Sequence, residues 1–415
     1  MAAAAIVCWA FGCGGDTVKN AENGQEQSVE RLSAVLLSAP GAEAAEPAAA
    51  AGKDGTLFTA FVQKNAAGGS DLYVRRFVKG AKTPGEPVRV NPVAGQVRSW
   101  QGDPPALASG PGGELYVGWT AKYPGGDRGT ILYLSTSSDG GATFGEPVQV
   151  NDDKLPASHG MHSLAVGADG TVYAAWLDER YLAERAARST GGFGLLAFFH
   201  HHPTPTPKGE EEPDAELYLA ASKDGGKSFG ANERLDRNIC PCCKTSIAIS
   251  PSGTVAVGYR KVYEGGFRHI TVIAAASGGA FGRPVLVSDD QWQIDACPVS
   301  GPALRFADDL LNVAWFSGGS AGEHGIYTAA ANDASISAFA PRQLVEAFDM
   351  GVSPVWAGDR LLYSSDGVIK LKDPLTAPAE IEKGRNVAAA AADDRIMYTF
   401  VESADQQRSV GFGIR

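Results

Sequence analysis

Along this chain, runs of small apolar residues give way to turn residues and then to runs rich in Val, Tyr and Trp, and the sequence of the three recurs. The clearest copies are PALASGPGGELYVGW from Pro105 and HSLAVGADGTVYAAW from His162, with PAAAAGKDGTLFTAF from Pro47 and TSIAISPSGTVAVGY from Thr245 close behind. Looser copies begin at Gly301 (GPALRFADDLLNVAW), Ser353 (SPVWAGDRLLYSS) and Asn386 (NVAAAAADDRIMYTF). Short apolar runs bounded by Gly, Asp and Ser predict strands, and each copy reads as a hairpin. A third and a fourth strand follow, as in ILYLSTSS from Ile131 and PVQVN from Pro147, or ITVIAAAS from Ile270 and PVLVS from Pro284. Four strands in each repeat make the blade of an all-β propeller, whose crowded centre suits small residues and whose blade faces suit aromatic ones.

Seven copies predict seven blades, or six if one of the two compact copies from Ser353 and Asn386 is not a blade of its own. The last copy supplies only three strands before Arg415, while residues 29–38 (VERLSAVLLS) read as a strand without a hairpin partner. The expectation is that this N-terminal strand closes the last blade, because a closed ring exposes no sheet edge. Residues 181–215, rich in Pro and Glu and carrying His200, His201 and His202, interrupt the third copy and are expected to be a solvated insertion.

Composition narrows the partners. A net charge of -11 leaves no basic face for a phosphate backbone, so nucleic acid is excluded, and a small molecule, a glycan or a metal ion is expected instead. The apolar stretch from Met1 to Gly12 runs into Cys13 in a pattern that resembles a bacterial lipobox. Residues 1–13 are thus expected to be a signal peptide with Cys13 as the acylated residue, residues 14–28 a flexible tether, and residues 29–415 one monomeric propeller in the bacterial cell envelope, held to the membrane by its lipid anchor.

The turn between third and fourth strands carries a motif. Ser137-Ser138-Asp139-Gly140-Gly141-Ala142-Thr143-Phe144 and Ser222-Lys223-Asp224-Gly225-Gly226-Lys227-Ser228-Phe229 match S-x-D-x-G-x-x-F/W, and in this the chain resembles the Asp-box propellers of the sialidase-like family. Catalytic members of that family clamp a substrate carboxylate with three arginines, use a Tyr activated by a Glu as nucleophile, and use an Asp as acid/base. The resemblance, carried over by loop position, nominates Arg98, Arg180, Arg260 and Arg268 for the clamp and Asp103 for the acid/base. No Arg-Ile-Pro motif stands near the first blade and no Tyr and Glu pair can be placed, so if the chain is an enzyme it is an exo-α-sialidase-like glycoside hydrolase, and turnover is not expected.

The loops that lead into innermost strands, together with those between second and third strands, gather at one mouth of a propeller channel. They bring Trp100, His159, His162, Asp178, Lys244 and Asp295 forward as ligand contacts. They also gather Cys240, Cys242 and Cys243 in one loop and Cys297 in the next. In an oxidising compartment these cysteines predict a disulfide, most directly from Cys297 to the Cys240–Cys243 loop. The other reading is a soft-metal site for copper or zinc, with His159, Met161 and His162 as further ligands. The function expected is therefore an exported propeller that binds a small ligand, a glycan or a soft metal ion at the mouth. The alternatives are a glycosidase acting on acidic sugars and a scaffold for a partner protein.

Overall fold

Twenty-eight strands build the computed structural model, which describes residues 35–415 apart from 82, 125–128, 190–214, 295, 297, 334–335, 351–352 and 405–406. Blade 1 comprises Ala44–Ala51, Leu57–Lys64, Ser70–Phe77 and Val88–Arg89, and blade 2 Ala106–Ser109, Leu115–Lys122, Thr130–Ser137 and Val148–Gln149. Blade 3 comprises His159–Val166, Val172–Asp178, Ala215–Ser222 and Glu233–Ile239, and blade 4 Ser246–Ile249, Val255–Tyr263, Phe267–Ala275 and Val285–Leu286. Blades 5 and 6 run from Ala303–Ala307 to Gln343–Ala347 and from Val355–Ala357 to Ala379–Lys383. Blade 7 consists of Arg385–Ala392, Arg395–Ala404 and Gln407–Ile414, with Val35–Leu36 as its outer strand. Every strand pairs antiparallel with its neighbour, in five four-stranded sheets and one of eight. The large sheet is blades 3 and 4 joined through a single pair, Ile239 opposite Lys261, so the described residues form the seven blades that the repeat predicts.

Closure follows the expected route. Val35 pairs with Phe412 and Leu36 with Gly411, and the Leu37 amide donates to the Val410 carbonyl at 2.8 Å. Residues 29–34 of the expected closing strand, and the signal and tether segments with Cys13, lie outside the described residues.

The core lies between blades. Phe58, Val62, Leu72 and Val74 of blade 1 pack on Leu115, Val117 and Trp119 of blade 2, and Leu132 and Leu134 of blade 2 pack on Val172, Ala174 and Trp176 of blade 3. Three second strands carry a buried Trp facing a Tyr on the third strand: Trp119–Tyr133, Trp176–Tyr218 and Trp315–Tyr327, with ring centroids 5.1, 5.9 and 6.0 Å apart. Each buried indole N–H finds an acceptor, in Ser135 Oγ, Asp178 Oδ2 and Asp290 Oδ2 respectively, as a desolvated donor must.

Both Asp-boxes fold as their residues dictate. Asp139 Oδ1 accepts the Ala142 and Thr143 amides and Oδ2 accepts the Thr143 hydroxyl, and Asp224 repeats the set with Lys227 and Ser228. Gly140 and Gly141 take φ of 68° and 81°, a region that glycine enters without steric cost. Phe144 and Phe229 pack against the cores between blades 1 and 2 and between blades 2 and 3, so these turns brace the outside of the ring.

Two features differ from the expectation. The insertion after blade 3's second strand opens as a helix, Arg180–Ser189, built from the helix formers in YLAERAAR, before residues 190–214, which lie outside the described residues. The innermost strands of blades 1, 3 and 7 are also bulged. Register jumps from Ala45↔Val62 to Ala48↔Ala60, from Gly160↔Leu177 to Ser163↔Ala175, and from Arg385↔Val401 to Ala388↔Thr399. Two residues thus face one aromatic residue each time: Glu46-Pro47 face Phe61, Met161-His162 face Trp176, and Asn386-Val387 face Phe400. The first bulged residue has positive φ in all three, at 59°, 55° and 53°. Such backbone is uncommon outside glycine and clusters at functional sites. No helix among the described residues is long and apolar enough to cross a membrane.

Candidate functional site

Blades 2 and 4 begin with innermost strands of only four residues, and the segments leading into them carry the polar residues of the mouth. Asp103 is the hub. Its Oδ1 accepts the Met161 amide at 2.7 Å and stands 3.1 Å from His162 Nδ1, and its Oδ2 accepts the Thr120 hydroxyl at 3.1 Å. Burial works against its charge, but His162, Lys244 and Thr120 overcome that penalty and hold the carboxyl below its ordinary range. Lys244 bonds the Pro104 carbonyl at 2.6 Å with its ammonium enclosed, and burial pushes it down to about 8 against the pull of Asp103. Its own carbonyl leaves no room for a side chain on blade 5, since a Cβ at Gly301 would stand 2.0 Å from it. Glu46, on the bulge of blade 1, accepts the Ser99 hydroxyl at 2.8 Å, and burial pushes its carboxyl up to about 7. Glu46 Oε2 and His162 Nε2 are buried with no hydrogen-bond partner. Trp100 packs over the adjoining core.

A second cluster lies beside it. His159 Nδ1 meets the Thr130 carbonyl at 2.6 Å and Nε2 meets Asp153 Oδ2 at 2.8 Å, with Asp178 at 3.6 Å. Burial opposes the imidazolium, but the Asp153 bond and the Asp178 charge outweigh it and raise the pKa. The ligand atoms of Asp153, His159 and Asp178 lie within 4.8 Å of one another, a metal-like spacing. Arg180 already fills the cation position: Nη2 is 2.8 Å from Asp178 Oδ2 and 3.1 Å from Asp153 Oδ2, while Nη1 bonds Asp152 at 2.7 Å. The guanidinium also lies 4.3 Å from the centroid of the Tyr218 ring. Arg98 faces Glu179, whose carboxyl burial pushes up.

The cysteine loop follows the Ile239–Lys261 junction and enters the core between blades 3 and 4. Cys240, Cys242 and Cys243 are packed there with Met161, Leu177, Ile247 and Tyr259. Cys240 Sγ lies 3.7 Å from Cys242 Sγ and 3.5 Å from Cys243 Sγ. The three sulfurs lie within 4.8 Å of one another and could hold a metal ion. Cys242 is disulfide-bonded, however, and Cys240 and Cys243 are the free thiols. A sulfur in a disulfide has no thiolate to give, so two sulfur donors remain in this state. The bond to Cys243 and the charges of Arg268 and Arg260 lower the Cys240 pKa, and burial raises that of Cys243.

Arg260 and Arg268 are not loop residues as the sequence suggests, because the second and third strands of blade 4 extend to nine residues each and carry both into the core. Arg260 donates to the Ser300, Phe316 and Arg268 carbonyls and lies 4.5 Å from the Trp292 ring centroid. Arg268 donates to the Ile294 carbonyl and, through Nη1, to Cys240 Sγ at 3.2 Å. Asp295 and Cys297 lie outside the described residues.

The structure thus gathers Asp103, His162, Met161 and Lys244, gathers His159, Asp178 and Arg180 separately, and sets the cysteines with Arg260 and Arg268. Sequence reasoning missed Glu46, hidden in AAEPAAA, and Asp153. It also missed a Tyr and Glu pair: Tyr363 donates to Glu346 Oε2 at 2.7 Å, with Lys370 on the same carboxylate. That pair bridges blades 6 and 5. Blades 4 and 3 have its counterpart in Tyr259, Asp236 and Lys261, which marks both as seam clamps.

Seven four-stranded blades with peripheral Asp-boxes define the described residues as a β-propeller. No family model matches the sequence, and no curated protein matches it. Among solved structures, a protein of unknown function from Dyadobacter fermentans is 15% identical, with a TM-score of 0.52 over 92% of this chain and 98% of that one. A Hadza microbial sialidase is 14% identical (TM-score 0.49; 90% and 65% covered), as is an alpha-L-arabinanase from Penicillium chrysogenum complexed with arabinobiose (0.47; 75% and 92%). At such identity the likeness concerns the fold alone.

Proposed function

We propose that this protein is an exported binding propeller that takes a small polyhydroxylated ligand, such as the end of a glycan, around Asp103, without turning over sialosides. The observation that carries this reading is the employment of three of the four nominated arginines. Arg180 is committed to three carboxylates, Arg260 to three carbonyls, and Arg268 to a carbonyl and a sulfur. A carboxylate clamp would have to break those bonds inside the protein. Asp103 is held ionised, which does not suit a group that must start as an acid.

What the mouth offers suits hydroxyls. The Asp103 contact occupies His162 Nδ1 and leaves Nε2 without a partner, and a Glu46 carboxyl near its midpoint at neutral pH both donates and accepts. A sugar hydroxyl can pair with each. Two assays test the reading: release of a fluorescent aglycone from a sialoside, and calorimetric titration with neutral and acidic oligosaccharides. We expect no release, and binding that Glu46→Ala weakens. Turnover that vanishes in Asp103→Ala, or no binding at millimolar sugar, overturns it.

The sulfur spacing favours a second reading, copper or zinc at the cysteine loop, which requires Cys242 to be reduced. Metal content of protein purified under a reductant decides it. The oxidised form is read as a Cys242–Cys297 disulfide, and the membrane anchor as acylated Cys13; loss of membrane association in Cys13→Ala checks the latter.

A further inference from the structure

Glu46 is an acid of the mouth that the chain leaves half-employed. It is 1% exposed, its Oε1 accepts the Ser99 hydroxyl at 2.8 Å, and its Oε2 is buried without a hydrogen-bond partner. The cations close by are committed elsewhere: Arg408 Nη2 bonds Glu43 Oε1 at 2.7 Å, Lys64 Nζ bonds the other oxygen of Glu43 at 2.6 Å, and Lys244 Nζ donates to the Pro104 carbonyl. Burial disfavours the Glu46 charge and the carboxylates of Asp103 and Glu43 add to that, while the Ser99 bond and the Arg408 charge offset it only in part. A carboxyl so placed is costly until a donor completes it. Nor does the backbone call for an acid here. The same kink carries Met161 in blade 3 and Asn386 in blade 7, with φ of 55° and 53° against 59° at Glu46, so a neutral side chain serves the bulge equally well. What the acid adds is a desolvated negative group at the mouth, within the field of Asp103.

We propose that the ligand of the mouth is a cationic sugar, one that carries a protonated amine, and that its ammonium group is seated on Glu46 Oε2. This rests on the reading of the mouth as a sugar site and names the class of sugar. An ammonium brings three N–H donors and a full charge, where a hydroxyl brings one donor. Its bond to a carboxylate is about twice as strong as a neutral hydrogen bond. The group thus supplies the partner that Oε2 lacks and cancels the charge that burial penalises. The field of Asp103 and Glu43, which opposes an ionised Glu46 standing alone, attracts a cation and repels the carboxylate of an acidic sugar. A net charge of -11 also draws a cation toward the protein on approach. Acetylating the amine removes both the charge and two of the three donors, so the site discriminates against the N-acetyl form of the same sugar.

Calorimetric titration of the full chain at about pH 6.5, where a sugar amine is protonated, tests this with matched probes. Glucosamine, galactosamine and mannosamine are each compared with their own N-acetyl derivative and with the parent neutral hexose. For at least one epimer the amine should bind about tenfold tighter than both neutral counterparts, the factor that separates a charged from a neutral hydrogen bond. That advantage should shrink as salt is raised, while the neutral affinities hold. Glu46→Gln keeps the shape and removes the charge, so it should bring the ratio of amine to N-acetyl affinity close to one. Equal affinities in the unmodified chain overturn the proposal and leave the sugar-binding reading standing, and a ratio that survives Glu46→Gln overturns the assignment to Glu46. Binding of no sugar at millimolar concentration, charged or neutral, overturns both readings. The ratio and its salt dependence are measured on the unmodified chain, so they decide the matter even if the variant folds poorly.

Discussion

The carboxylate of Asp103 and the backbone amide of Met161 are joined across the boundary between blades 2 and 3 by a 2.7 Å hydrogen bond. The same carboxylate serves His162, Thr120 and the charge of Lys244. Removing it therefore strands several buried groups at once. Asp103→Ala is expected to cost about 3–5 kcal/mol, the usual range when one partner of a buried charged pair is deleted. Asp103→Asn, which keeps an acceptor, should cost less. Denaturant unfolding of the two variants measures the difference.

Glu46 should make the ring sensitive to alkali. Its folded pKa is raised by burial to about 7, above the ordinary 4.5, so the stability it contributes is complete below 4.5 and is lost as pH rises through 7. The melting temperature of the wild type should fall relative to Glu46→Gln between pH 5 and pH 8. His159 has a raised pKa too and slopes the same way, but it is common to both chains and cancels in the comparison. Parallel curves would show that Glu46 titrates normally.

Leu36 and Leu37 are neighbours with opposite expectations. Leu37 is 0% exposed in the core with Phe61, Phe77 and Phe412, whereas Leu36 is 49% exposed. Leu37→Ala should cost about 2–5 kcal/mol, and Leu36→Ala should change stability by no more than about 0.5 kcal/mol. Deleting residues 1–38 should destabilise the whole domain, because blade 7 loses its outer strand. Thermal unfolding of all three tests the closure.

Asp139 and Asp224 should behave as structural residues. Their carboxyls are held well below the ordinary range, first by the Thr143 and Ser228 hydroxyls, so their contribution is present above the unfolded pKa and lost as pH falls. Asp139→Ala and Asp224→Ala should lower the melting temperature by less than Asp103→Ala does and leave ligand affinity unchanged. A loss of affinity equal to that of a mouth variant would place the Asp-boxes at the site.

The frame was legible in the sequence because it repeats. Copies beginning at Pro105 and His162 carry the same small-residue strand, turn and Trp-bearing strand, and each became a blade. The mouth was less legible, since it depends on where strands stop. Arg260 and Arg268 look like loop residues, yet they sit on strands of nine residues that turn them toward the core. Glu46 offers no signal at all. Positive φ at a Glu or a Met has no compositional mark such as glycine would leave, so the bulges at Glu46 and Met161 emerge only from the pairing register. His159 and Asp178 were identified by position, but Asp153, which completes their cluster, lies six residues before His159 in an unremarkable turn.

Those bulges also bear on how such a ring can change its use. At Glu46, Met161 and Asn386 the kink is set by strand register against Phe61, Trp176 and Phe400, while the side chains mounted on it are an acid, a thioether and an amide. Each position is a socket whose fitting is independent of its mounting. Exchanging the fittings would alter what the ring captures while every hairpin keeps its alignment, so new specificities lie a few codons away from this chain rather than a new architecture away.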